Sequence, residues 1–199
     1  MPVAEDIQPG DCWPTVYRLA QAGDVNAAVA LCKSHTCSQV RECQLYLAKS
    51  YYDQGQLDEA LEWFSKAAET GDDEALFGAG SVHFIRKDYD AALQLWKRAA
   101  DRGSSKALAY IGSIYYQGLA GPRNLPVALD YYKQSAAAGY LLAERALMTI
   151  TFRHGTAWER LLLAPKFLML LLRASWIAAR HSDDKRLADI PLGSGKSHR

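Results

Sequence analysis

The chain has 199 residues, 49% of them hydrophobic, with 23 basic and 22 acidic side chains and a net charge of +1. That near-neutrality, with basic groups that do not interleave along a groove, excludes the electrostatic footprint of a nucleic-acid binder, and the length allows one domain or two. No stretch alternates with period two, and Val and Ile are scattered inside helical patterns, so the class is all-α.

Met1 to Gly10 contains Glu5 and Asp6 and no apolar run. It therefore lacks the pattern of a secretory signal, and the expected address is cytoplasmic. From there on the chain is periodic. Ala28, Ala60, Ala92 and Ala128 are separated by 32, 32 and 36 residues, each within a near-copy of one helical pattern. Such a period marks stacked supersecondary units, each able to bury its apolar face only against the next. Asp24, Asp88 and Asn124 stand at the N-cap positions of these helices, where a side-chain oxygen accepts from free backbone N–H groups, and Gln56 is the weak copy. The alanine keeps two packed helices close, and the residue four places later (Cys32, Phe64, Trp96 or Tyr132) fills the gap between repeats.

A second helix precedes each of these. Cys43 to Tyr52, Ala75 to Phe84 and Ala107 to Tyr116 superpose at the same 32-residue offset, with Ala48, Gly80 and Gly112 at one small-residue position where helices touch. Gly71, Gly103 and Gly139 follow Ala-rich helix ends, where a left-handed residue closes a helix.

Ile111 to Gly118, the Gly121–Pro122 loop, Ala128 to Tyr132, Lys133, Ala136, Ala137 and Gly139 together resemble a Sel1-like repeat, the relative of the tetratricopeptide repeat with a longer inter-helix loop. The blocks around Ala60 and Ala92 resemble the same family with the loop shortened by four residues, and the block around Ala28 is a degenerate first copy. The resemblance spans residues 12–155 and implies a Sel1/TPR-like α-solenoid of antiparallel helix pairs. It also implies a non-catalytic adaptor for protein complexes, of the kind used in bacterial signalling, secretion or envelope assembly. It supplies no catalytic residues, and no cofactor or metal is expected.

Four cysteines raise a zinc or disulfide reading, because Cys32, His35, Cys37 and Cys43 fall close together. The spacing lacks a Cys-x-x-Cys knuckle, and Cys32 and Cys43 occupy slots filled elsewhere by Phe64, Trp96 and Tyr132 and by Ala75 and Ala107, so both are read as buried apolar residues. In a reducing compartment the cysteines stay unbridged. The segment Gly193 to Ser197 imitates the end of a phosphate-binding loop but has Ile190 where the earlier glycine belongs, and no helix can follow it. His83 sits in the slot of Tyr51 and Tyr115 and is read as a packing or surface residue. The acidic groups Asp58, Glu59 and Glu62, and Asp72, Asp73 and Glu74, are read as a solvated face at helix starts.

Regularity stops after Phe152. Residues 156–182 read as a basic, Leu-rich amphipathic helix in which Glu159, Lys166, Arg173 and Arg180 recur every seven residues as one narrow stripe. Lys166 and Arg173 would each cost about 2.5 to 3.5 kcal/mol at a bilayer centre, so spanning is disfavoured. Three environments remain: an anionic membrane surface, the end of the solenoid, or a second copy of the chain. Residues 1–152 hold 14 basic and 18 acidic groups, whereas 153–199 hold 9 and 4, an asymmetry that suits membrane-surface attraction. The contact residues there are Trp158, Lys166, Phe167, Leu170, Arg173, Trp176 and Arg180. Residues 183–199 read as a flexible tail.

The sequence thus predicts a right-handed α-solenoid that binds protein on a concave face lined by the first helix of each pair, with Tyr46, Lys49, Asp53, Tyr110, Ser113 and Gln117 as contact residues. The predicted setting is the cytoplasm, peripheral on the inner face of the membrane. A soluble homodimeric repeat protein, or a regulatory subunit of a membrane-associated enzyme, is the alternative.

Overall fold

The computed structural model describes residues 8–69 and 71–155, together with Met169 and Leu172. The elements that the described residues form are all helical: α1 (Pro9–Gln21), α2 (Val25–Lys33), α3 (Arg41–Asp53), α4 (Leu57–Glu69), α5 (Asp73–Ile85), α6 (Tyr89–Asp101), α7 (Ser105–Gln117), α8 (Leu125–Ala137) and α9 (Leu141–His154). The chain divides into two compact units, Met1–Tyr131 and Tyr132–Arg199. The first holds α1 to α7 and the start of α8; the second holds the rest of α8 and α9.

The alanine spacing is a helix spacing. Each of α3 to α8 has 13 residues, and α3, α5 and α7 begin at Arg41, Asp73 and Ser105, 32 residues apart. The predicted caps form: Asp24 accepts from the Ala27 N–H at 3.0 Å, Asp88 from Ala91 at 3.3 Å and Asn124 from Val127 at 3.2 Å. Each satisfies a donor that the first helical turn leaves open. The α1–α2, α3–α4 and α5–α6 turns each place a left-handed residue at one register position: Gly23, Gly55 and, without the freedom of glycine, Lys87 at φ 63°.

The four extra residues of the last repeat lie between α7 and α8. Gly118 adopts φ 70°, and a Cβ on it would stand 2.9 Å from the Arg123 nitrogen, so only glycine closes this turn. The loop then returns through the Asn124 N–H, which donates to the Tyr115 carbonyl at 2.9 Å, and the Arg123 guanidinium lies 4.5 Å from the Tyr116 ring centroid.

Burial follows the alanine spacing. Ala28, Ala60, Ala92 and Ala128 are all fully buried. Phe64 packs with Ala75, and Trp96 with Ala107, in successive core clusters of the first unit. In the second unit Ala143 and Ile150, two turns apart on α9, turn inward, while Phe152 is 66% exposed.

Two expectations are corrected. Cys12 on α1 and Cys37 in the α2–α3 connection form a disulfide, because the α1–α2 hairpin folds the connection back onto α1, a proximity that spacing along the chain does not reveal. Cys32 and Cys43 are buried, as their slots require. With Cys37 bridged and His35 exposed, the group Cys32, His35, Cys37 and Cys43 does not converge. Asp72 is not part of a solvated face. It is buried, caps α5 by accepting from the Ala75 N–H at 2.7 Å, and is ion-paired with Arg41 at the start of α3. Asp58 does stay exposed, paired with Arg86.

Candidate functional site

Residues three and seven apart share one face of a helix. Tyr46, Lys49 and Asp53 do so on α3, and Tyr110, Ser113 and Gln117 on α7; the 32-residue register assigns Gly78, Ser81 and Ile85 to the same positions on α5. All nine belong to the first unit, and side chains on neighbouring helices join them.

The α3–α5 junction is electrostatic. Lys49 donates to the Glu74 carboxylate at 2.5 Å, with both side chains 52% exposed. Deeper in the same junction the Arg41 guanidinium reaches buried Asp72, and this carboxylate raises the guanidinium pKa further above its ordinary value. The exposed pair contributes little stability; its weight lies in fixing which charges the surface presents.

The α5–α7 junction is aromatic. Phe77 meets Tyr110 edge-on with ring centroids 5.0 Å apart, and stacks on Trp96 at 5.9 Å. Lys106 lies 4.6 Å from the Phe77 ring centroid, a cation held against the negative face of the ring. Trp96 can lie so close because Gly80 has no side chain, and its indole N–H donates to the Phe77 carbonyl at 3.0 Å. The same carbonyl accepts from the Ser81 hydroxyl at 2.9 Å.

The remaining predicted residues occupy distinct environments. Tyr46 meets Trp13 of α1 edge-on at 6.3 Å, and burial pushes its phenol above the ordinary range against a hydrogen bond with Ser50 that lowers it. The Gln117 amide donates to the Ser113 hydroxyl at 2.7 Å. Asp53 is exposed at the last position of α3, where a carboxylate opposes the helix dipole. His83, half-buried, has Nδ1 3.1 Å from a carboxylate oxygen of Asp88, in keeping with a packing or surface role.

Three residues of this face escape a reading built on polar and tyrosine side chains: Glu74, Phe77 and Ile85. The signal for Ile85 is the register itself, since it stands in line with Asp53 and Gln117, and it is 48% exposed. Glu74 and Phe77 lack such a signal because their partners, Lys49 and Tyr110, come from other helices.

Trp158, Lys166, Phe167, Leu170, Arg173, Trp176 and Arg180 lie outside the described residues. Among the described residues no helix is long and apolar enough to cross a membrane, and no group of three or more His, Cys, Asp or Glu side chains could hold a metal ion.

Comparison with known proteins agrees with this architecture. The tetratricopeptide repeat model matches residues 17–75 and 45–107, and the Sel1 repeat model matches 105–140. No curated protein matches the chain. Among solved structures, c5321, a protective antigen of uropathogenic Escherichia coli with an SLR fold, is similar at a TM-score of 0.70 and 24% identity over 79% of this chain and 36% of its own. A Sel1 repeat protein from Oxalobacter formigenes gives 0.60 and 22% over 73% of this chain and 61% of its own. MamA gives 0.62 and 20% over 80% of this chain and 96% of its own. The chain thus spans about a third of the first relative and three fifths of the second, and at these identities the likeness concerns the fold. The helix pairs at a 32-residue offset, the longer α7–α8 loop and the two repeat models lead to one assignment: the chain belongs to the Sel1-like and tetratricopeptide-like repeat proteins.

Proposed function

We propose that the chain is a non-catalytic interaction scaffold whose partner docks on the face formed by α3, α5 and α7. Repeats of this type generally serve as protein-interaction scaffolds. The observation that carries the reading is the pair of cross-helix contacts, Lys49 with Glu74 and Phe77 with Tyr110, which link α3 to α5 and α5 to α7. That face offers a mixed surface: Lys49 and Asp53 as charges, Ser113 and Gln117 as hydrogen-bonding groups, Ile85 and Tyr110 as apolar and aromatic anchors. A partner segment with an apolar side chain flanked by charges of both signs suits it.

A photo-crosslinking residue placed at Gln117 tests the assignment against the same residue placed at Gln94 on α6. Crosslinking to a partner from the first position, abolished by Lys49→Glu with Tyr110→Ala in a chain that still folds, is the expected result. Equal crosslinking from both positions would remove the α3–α5–α7 face from consideration.

A second contact involves the Leu-rich segment. Met169 and Leu172 are 67% and 63% exposed, which supports an apolar surface there that meets a membrane or a second copy. Flotation with anionic vesicles, comparing the full chain with one ending at Gly155, separates the two: co-flotation of the full chain alone supports the membrane, and a concentration-dependent dimer without flotation supports the second copy. Concerning the compartment, the Cys12–Cys37 bridge weighs for oxidising surroundings over the cytoplasmic address read from the N-terminus.

A further inference from the structure

The first unit contains a second pair of cysteines with no assigned role. Cys32 lies in the last turn of α2 and Cys43 in the first turn of α3, both with 0% exposure in the core cluster that also contains Cys12 and Cys37. The register explains why they meet. In the next two repeats the equivalent slots hold a large aromatic and an alanine, Phe64 with Ala75 and Trp96 with Ala107, and each such pair shares one core cluster. Those slots are contact positions between the second helix of one pair and the first helix of the next. In the first repeat both members are cysteines, so this contact position carries a thiol on α2 and a thiol on α3, both buried in one core cluster.

From this juxtaposition we infer that Cys32 and Cys43 are a second cystine site, which closes in surroundings that oxidise Cys12 and Cys37. A one-for-one replacement of a large-and-small packing pair by two thiols removes the aromatic that fills this interface in later repeats. A covalent bridge restores the tie between α2 and α3 that the aromatic provides elsewhere.

The chemistry is thiol–disulfide exchange with a small-molecule disulfide, for which oxidised glutathione is the probe. Either sulfur of the pair can attack first, and the balance is the same. With Cys43 first, its thiolate attacks one glutathione sulfur, and the released glutathione takes up the proton. Cys32 then loses its proton and attacks the Cys43 sulfur of the mixed disulfide, releasing the second glutathione as a thiol. Two protein thiols are oxidised to one disulfide, one glutathione disulfide is reduced to two thiols, and both protons are accounted for.

Because the sulfurs are enclosed in the folded chain, the test begins from the reduced, unfolded full-length protein, refolded to equilibrium in a reduced and oxidised glutathione buffer. The product is then denatured without reductant, alkylated and mapped by mass spectrometry. The expected result is loss of all alkylation together with a peptide joined through Cys32 and Cys43, alongside one joined through Cys12 and Cys37. Alkylation at Cys32 and Cys43 with Cys12–Cys37 closed would overturn the inference, as would glutathione adducts on either residue or any other pairing. The Cys32→Ser, Cys43→Ser double variant should close Cys12–Cys37 to the same extent; should that variant not fold, the wild-type map still decides.

Discussion

The Trp96 indole occupies the space that a side chain on Gly80 would need: a Cβ there would lie 2.5 Å from Nε1. Gly80→Ala therefore drives a methyl group into a rigid, fully buried ring. The gain in helix propensity is about 1 kcal/mol, and overpacking costs about 1–3 kcal/mol. The displaced indole also loses its hydrogen bond to the Phe77 carbonyl. Net destabilisation is expected in denaturant melts, with a red shift of Trp96 emission as the ring moves toward water. A variant as stable as the parent would mean that α5 and α6 can separate freely.

Asp72 combines a cap and an ion pair, and the two can be separated. Asp72→Ala loses both and should cost about 2 kcal/mol, of which the cap supplies about half. Asp72→Asn keeps an acceptor for the Ala75 N–H and should cost less. Arg41→Ala leaves the cap intact but strands a carboxylate that is 4% exposed without its counter-charge, so it should cost more than Asp72→Asn. A smaller loss for Arg41→Ala than for Asp72→Asn in chemical denaturation would assign the stabilisation to the cap alone.

The Cys12–Cys37 bridge spans 25 residues of sequence. Closing a loop of that size in the unfolded chain is worth about 3 kcal/mol in the chain-entropy picture. Reductant, or a Cys12→Ala, Cys37→Ala variant, should lower the melting temperature by the corresponding amount. No change on reduction would show that α1 is held by packing alone.

Tyr46 sets an alkaline limit. Its phenol is held above the ordinary value of 10.0, mainly by burial. The folded chain keeps a proton that the unfolded chain releases, so this contribution is complete below about pH 10 and declines as pH rises through the folded pKa. Tyr46→Phe should flatten that part of the stability profile, as followed by denaturation at fixed pH values. An unchanged slope would transfer the effect to the other tyrosines.

Asp53 is costly where it stands, as a carboxylate at a helix C-terminus. Asp53→Asn should stabilise the fold by about 0.3–1 kcal/mol. If the proposed face is the docking surface, the same change weakens partner binding, and titration calorimetry with the crosslinked partner measures it. Tighter binding by the variant would place Asp53 outside the interface.

How far the sequence could be read depended on whether information was local or crossed between helices. The caps Asp24, Asp88 and Asn124, the buried alanines and the long last loop are all written within a few residues and repeated, so periodicity exposes them. The burial of Cys32 and Cys43 followed from slot equivalence alone. Asp72 was misread because its immediate neighbours, Asp73 and Glu74, look like an exposed acidic turn, while the residue that makes burial tolerable, Arg41, comes from the preceding repeat. Cys12 and Cys37 were missed because their register counterparts, Gln44 and Leu76 for the one and Glu69 and Asp101 for the other, give no sign of a tie between the two slots. On the candidate face, Tyr46, Lys49 and Tyr110 were legible as side chains, but their cross-helix partners Trp13, Glu74 and Phe77 were not.

The bridge between α1 and the α2–α3 connection gives the first unit a direction. In a stacked array each repeat leans only on its neighbours, and terminal repeats, with one neighbour instead of two, fray first. Covalent closure of the first hairpin removes that weakness from one end. Opening of the unit is then expected to start away from Cys12 and travel toward it, like a zipper with one end sewn shut, an order that amide exchange along α3, α5 and α7 would test. The order in which α7, α5 and α3 lose amide protection thus becomes a property set by the position of one disulfide.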